Sequence, residues 1–213
     1  MDTSGLPAAW HRSVRALGAT APEEEVVAAG RRLLAAYAEP HRAYHDTVHL
    51  AEVLARLDEL AGEAASVEVA RLAAWFHDAV YDLEPGAEER SALLAEDSLA
   101  RLGMPAGTVA EVARLVRLTA AHDPAPDDQD GKALADADLA VLASPAERYA
   151  KYVAGVRAEY ARNDDAAFAD GRAQVLRALL SRPALFRTRT GAQWEQAARV
   201  NVERELRELT AGA

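Results

Sequence analysis

Alanine fills 51 of the 213 positions, while aromatic residues fill only 12. Alanine is the best helix former, whereas strands favour aromatic and β-branched side chains. A chain so composed is expected to be all-α. Half of it is apolar, enough for a substantial core, and its length fits one multi-helix bundle domain over 1–213. The 12 glycines and 9 prolines are too few for a fibrous or disordered chain.

Apolar residues recur at helical spacing from end to end. They predict helices over 7–18, 21–38, 46–62, 66–82, 87–103, 105–121, 132–143, 145–162, 164–181 and 191–210. Thr20 with Glu23, Ser144 with Glu147, and Thr190 with Gln193 read as capping boxes. Leu50, Val53, Leu54, Leu57 and Leu60 form one apolar stripe. The 66–82 segment is apolar on most faces, the pattern of a central buried helix. No strand pattern and no fixed-period repeat is present. The clearest break is 122–131, with two prolines and four aspartates in ten residues. A calcium-loop reading of it fails on register: with Gly131 in the sixth place, Pro126 and Ala137 would stand where oxygen ligands are needed. Asp127, Asp128 and Asp130 therefore read as a solvated acidic loop.

A net charge of −10 excludes an extended basic surface for nucleic acid. An anionic substrate would need a metal or a few convergent arginines. The absence of cysteine excludes disulfides, thiolate nucleophiles, Zn–Cys sites and iron–sulfur clusters. No apolar run approaches a membrane span, and Met1-Asp2-Thr3-Ser4 lacks the pattern of a signal peptide. The expectation is a cytoplasmic protein without membrane contact. Walker A, G-x-G-x-x-G and G-x-S-x-G sequences are missing.

The histidines carry more information. Three of the six precede an aspartate, at 45–46, 77–78 and 122–123, against roughly 0.4 such pairs under random placement. His77-Asp78 lies in the most apolar segment, where an ionised carboxylate must be paired, hydrogen-bonded or metal-bound. A buried His–Asp pair tied to an arginine and a metal site both satisfy that requirement. His45 and His49, four apart, share a helix face. Of Asp136 and Asp138, the latter adjoins a continuous apolar run and is the one expected to point inward.

Together these residues resemble the HD-domain superfamily of metal-dependent phosphohydrolases, and more narrowly a bacterial family of predicted phosphohydrolases of this length. The resemblance rests on Arg42-Ala43-Tyr44-His45 with His49, on Trp75-Phe76-His77-Asp78-Ala79-Val80-Tyr81-Asp82 and on Glu88-Glu89-Arg90-Ser91-Ala92. It continues through Thr119 with His122, Asp136-Ala137-Asp138-Leu139, Arg157-Ala158-Glu159-Tyr160, Gly171-Arg172 and Ala198-Arg199-Val200-Asn201. These stretches span about 42–201. The chain departs from the pattern at Asp46 and Ala87, where the family often carries Asn.

The resemblance implies four metal ligands: His49, His77, Asp78 and Asp138. Two imidazoles and two carboxylates suit Mn, Fe, Ni, Mg or Zn in an open site. It also implies hydrolysis of a phosphoester or phosphoanhydride of a small metabolite, a nucleotide most naturally, by water activated on the ion. His122 is then a candidate for proton transfer, for phosphate contact or, with Glu88, for a second metal. Asp82 is a candidate base or ligand-orienting group. Arg42, His45, Arg157, Tyr160 and Arg172 are candidate substrate contacts, although each arginine fits an ordinary pair with a glutamate equally well. An iron-dependent oxygenase and a non-catalytic, metal-containing nucleotide sensor are the alternatives. Oligomeric state is not readable from the chain.

Overall fold

The computed structural model describes residues 2–211. Ten α-helices and no strand are found among them: α1 Leu6–Ala16, α2 Glu23–Tyr37, α3 Thr47–Glu59, α4 Val67–Phe76, α5 Ala87–Arg101, α6 Ala106–Leu118, α7 Gln129–Leu139, α8 Ala146–Glu159, α9 Asp165–Ser181 and α10 Glu195–Ala211. One-turn 3-10 helices extend α7 at Ala140–Ala143 and precede α10 at Gly191–Gln193. The expected all-α bundle is what forms. No described helix is long and apolar enough to cross a membrane.

Helix α4 is the axis of the bundle. Seven of its ten residues are buried, and it packs against α1, α3, α5, α6 and α7. An amphipathic helix covers one neighbour, whereas one apolar on nearly every face needs to be surrounded. Trp75 and Phe76, fully buried on α4, meet Trp10 of α1 edge-on at 5.4 and 6.0 Å. A second apolar cluster joins α8, α9, α10 and the turn after α7 through Tyr44, Tyr149, Tyr152, Leu176, Phe186 and Val202. Asn201 ties α10 to that turn by donating to the carbonyls of Leu142 and Ser144, both at 2.9 Å.

Several local expectations are corrected. The segment read as one helix over 66–82 stops at Phe76, with His77 as its C-cap. Arg42 then holds the following turn, donating to the carbonyls of Asp78 at 2.7 Å and Ala79 at 3.2 Å. None of the three capping boxes forms. Pro22 and Pro145 take the cap positions of α2 and α8. Thr20 instead reaches the Gly103 carbonyl, and Thr190 donates to Glu63. Nor is the acidic loop merely solvated. Asp128 caps α7 by accepting from Gly131 N–H, and buried Asp130 accepts from Ser66 N–H at the start of α4. Unpaired N–H groups at helix starts draw carboxylates wherever the chain brings one near.

Candidate metal centre

The four side chains singled out as ligands come from three separate elements. Asp46 caps α3 by accepting from the N–H groups of Val48 (2.7 Å) and His49 (3.1 Å), which sets His49 in the first turn, facing α4. His77 ends α4, and its Nδ1 donates to the Ala74 carbonyl at 2.8 Å. That bond leaves Nε2 as the coordinating nitrogen. Asp78 follows in the turn after α4, and its Oδ2 faces the same point as His77 Nε2. Asp138 projects from the last turn of α7.

The ligand atoms meet closely. His49 Nε2 and His77 Nε2 are 3.1 Å apart. Asp78 Oδ2 lies 3.0 Å from the His77 nitrogen and 3.4 Å from the His49 nitrogen. Asp138 Oδ1 lies 3.5 and 3.2 Å from the same two atoms. His49, His77 and Asp138 form a group able to hold a metal ion, their ligand atoms all within 4.8 Å of one another. Atoms at adjacent positions around an ion with bonds of about 2.1 Å would lie about 3.0 Å apart, so the spacing fits a divalent cation. Two imidazole nitrogens at 3.1 Å also need a cation or proton between them. The donor set therefore fits a metal on geometry and on chemistry.

Electrostatics points the same way. Burial disfavours charge on all four groups, yet their proximity overrides it. Desolvation of His49 is outweighed by hydrogen bonds to Asp138 and Asp78, which push it up to about 9. Asp78 and Asp138 are held well below the usual carboxylate range, in both cases against burial and chiefly by the His77 charge. Two half-buried carboxylates thus carry negative charge that imidazolium or a cation must balance.

His77, Asp78 and Asp138 line a cavity of about 660 Å³, together with Tyr44, His45, Tyr81, Glu88, His122 and Tyr160 among others. His49 is outside that lining and, with Asp138, borders a smaller cavity of about 260 Å³, where Arg148 pairs with Glu52. The only non-glycine residues with positive φ among those described, Leu83 (62°) and His122 (48°), both line the larger cavity. Such strain commonly collects at functional sites.

The remaining candidates separate into those that reach this cavity and those that do not. His122 does, and its Nε2 meets Asp138 Oδ2 at 2.7 Å. It therefore holds the second oxygen of a ligand carboxylate. His45, Glu88, Tyr160 and Arg172 line the cavity as well. Three placements correct the expectations. The Arg42 guanidinium is wholly buried and spent on Glu39 and the carbonyls of His45, Asp78 and Ala79. Asp82 is exposed, paired with Arg90 at 2.6 Å and absent from the cavity wall. Arg157 is likewise absent from the lining, although it donates to the carbonyls of Tyr160 and Asn163, which belong to it, and to Asp165. A further correction concerns Asp136, which is more buried than Asp138. It accepts from the N–H groups of Arg187 and Thr188 and from the Thr188 hydroxyl.

Glu159 was not among the sequence candidates, although it stands between two that were. Its Oε1 accepts from the backbone N–H groups of Ala43, Tyr44 and His45 at 2.7–2.9 Å. Its Oε2 takes the His45 Nδ1 proton at 2.7 Å and the Tyr81 hydroxyl at 2.8 Å. Desolvation opposes its charge, but His45 and the backbone amides win and bring it down to about 2. Glu159 thereby turns His45 Nε2 away from itself and fixes the loop before α3. The sequence signal was Gly155 in mid-helix: a Cβ there would meet the Ala43 carbonyl oxygen at 2.8 Å, so α8 presses on this same loop.

Compared with protein-family models, curated proteins and solved structures, the chain matches none.

Proposed function

We propose that this protein is a metal-dependent hydrolase of phosphate esters or anhydrides of a small metabolite, with His49, His77, Asp78 and Asp138 as its ligands. The reading is supported above all by the convergence of these four side chains, which the resemblance groups, with His77, Asp78 and Asp138 lining one cavity. When bound, a divalent ion polarises a phosphoryl oxygen and lowers the pKa of water. The chain's own groups do the rest. Asp138 is steadied by His122 on its outer oxygen, and His77 by the Ala74 carbonyl. His45, with Nδ1 donating to Glu159, presents Nε2 as a proton donor or acceptor for the reacting group. Tyr44, Tyr81 and Tyr152 close the sides of the cavity and limit the water around it.

Metal analysis of the purified chain, followed by turnover of phosphoesters and nucleotides after reloading with Mn²⁺, Mg²⁺, Fe²⁺, Ni²⁺ or Zn²⁺, tests the proposal. The expected result is metal-dependent release of inorganic phosphate or pyrophosphate that His77→Ala abolishes together with metal binding. A His77→Ala variant that kept both would overturn the ligand assignment. Turnover that required oxygen and redox-active iron would replace hydrolysis by oxygenase chemistry.

A further inference from the structure

The charges around the cavity bear on how many phosphates a substrate can carry. Besides Asp78 and Asp138, whose charge a divalent ion would balance, Glu84 and Glu88 line the cavity. Among the described lining residues Arg172 is the one permanent cation, and it is already committed. Its side chain is 9% exposed, donates to both oxygens of buried Glu205 at 2.7 and 3.1 Å, and gives a further hydrogen bond to the Tyr152 hydroxyl. Arg42 and Arg157, the other arginines that could have clamped phosphates, are not in the lining: Arg42 is spent on the carbonyls of Asp78 and Ala79, and Arg157 donates to the Tyr160 carbonyl and Asp165 and lies over the Phe168 ring. Sites for di- and triphosphates hold their extra charges with lysine or arginine and a glycine-rich loop of backbone N–H groups. Here Glu84 and Glu88 stand in the lining beside the start of α5 at Gly86 and Ala87, and a second or third phosphate that reached this stretch would meet both carboxylates. Part of the lining is apolar: Val156, Tyr160, Phe168 and Val175 belong to it, with the Tyr160 and Phe168 rings 6.1 Å apart. The volume of about 660 Å³ is in the range that encloses a whole small molecule.

We propose, on the hydrolase reading above, that the substrate is a phosphomonoester: one phosphate on the His–Asp cluster and an uncharged, ring-bearing alcohol portion against Tyr160, Phe168 and Val175, with Glu84 and Glu88 rejecting longer phosphate chains. In the reaction the oxygen of water forms the new bond to phosphorus, the ester P–O bond breaks, and one proton of that water ends on the departing alcohol oxygen. Nothing is oxidised or reduced.

The test uses the full chain at a fixed free Mn²⁺ concentration with AMP, ADP, ATP, phenyl phosphate and glycerol 3-phosphate. Both kcat/KM and the thermal shift that each compound produces are measured. The expected kcat/KM for AMP exceeds those for ADP and ATP by about tenfold or more, since like charges placed together discriminate strongly against the wrong partner. Phenyl phosphate should also exceed glycerol 3-phosphate. The double variant Glu84→Gln, Glu88→Gln should narrow the AMP-to-ATP ratio severalfold, most at low salt. ATP or ADP turned over as well as AMP, or a ratio that the double variant leaves unmoved, would overturn the monoester assignment and leave the hydrolase reading standing. A thermal shift with AMP but not ATP, without hydrolysis of any ester, would do the reverse: it supports the ligand class and removes the hydrolase. Neither binding nor turnover of any of the five would overturn both.

Discussion

At the scale of single residues, hydrogen bonds to the ligands matter as much as the ligands. His122 holds the outer oxygen of Asp138, and loss of such a partner typically costs about 10–100-fold in metal affinity. His122→Ala is therefore expected to release metal to a competing chelator at correspondingly lower chelator concentration, with the fold retained. Glu159 makes a different prediction. Removal of its carboxylate leaves three backbone N–H groups and the Tyr81 hydroxyl without their acceptor, and each buried unsatisfied group costs about 1–3 kcal/mol. Glu159→Ala should lower Tm by about 6 °C or more, at about 2–4 °C per kcal/mol for a chain of this size.

The same carboxylate makes stability depend on pH in a defined direction. In the unfolded chain Glu159 titrates near 4.5, and in the fold near 2. Its contribution is complete above about 4.5 and is lost as pH falls through that interval towards 2. Urea midpoints measured between pH 6 and pH 3 should fall for the parent chain. They should fall less for Glu159→Gln, which has no proton to gain. Equal slopes for the two proteins would show that other groups carry the acid sensitivity.

Among the elements, α3 and α8 decide whether the site assembles. Asp46 stands where the resembled family often has Asn, yet it performs the cap that starts α3 and aims His49. Asp and Asn are nearly equal N-caps, while Ala at an N-cap costs about 1 kcal/mol. Asp46→Asn should leave stability and metal affinity nearly unchanged, and Asp46→Ala should reduce both, read by urea melts and chelator competition. Helix α8 is held to the 43–45 loop at Gly155, where a Cβ would come within 2.8 Å of the Ala43 carbonyl and 2.9 Å of Tyr44 Cβ. Gly155→Ala is expected to destabilise by about 1–3 kcal/mol through overpacking, despite the better helix propensity of alanine. A stabilised variant would mean that the loop yields easily.

For the whole molecule, an ion held as proposed would be a term in stability. The cluster gathers two imidazoles and two carboxylates from α3, the end of α4 and α7, and those helices pack on one another. A ligand bound only by the folded chain at 100 times its Kd adds about 2.7 kcal/mol, equivalent to several degrees of Tm. Excess chelator should lower Tm by that amount in the parent chain and leave His77→Ala unmoved. The test separates a functional ion from an adventitious one, because only a site built on His77 loses its response in that variant.

By itself the sequence determined the all-α class, the order of the ten helices and the central place of α4, while the grouping of His49, His77, Asp78 and Asp138 came from the resemblance. Alanine content and apolar periodicity are properties of the chain read in order, and they suffice for those conclusions, whereas His/Asp placement alone fits a buried ion pair as well as a metal site. The end of α4 at Phe76 was not legible, because 77–82 keep an apolar helical pattern and the Arg42 guanidinium that breaks it, by claiming the carbonyls of Asp78 and Ala79, lies 36 and 37 residues away. Capping was misread for a related reason: proline dihedrals set the starts of α2 and α8, and carboxylates such as Asp130 reached helix ends distant in sequence. Which arginines could meet a substrate was likewise decided only in three dimensions. A guanidinium donates to whichever oxygens packing brings within reach, and for Arg42, Arg157 and Arg172 those were the protein's own.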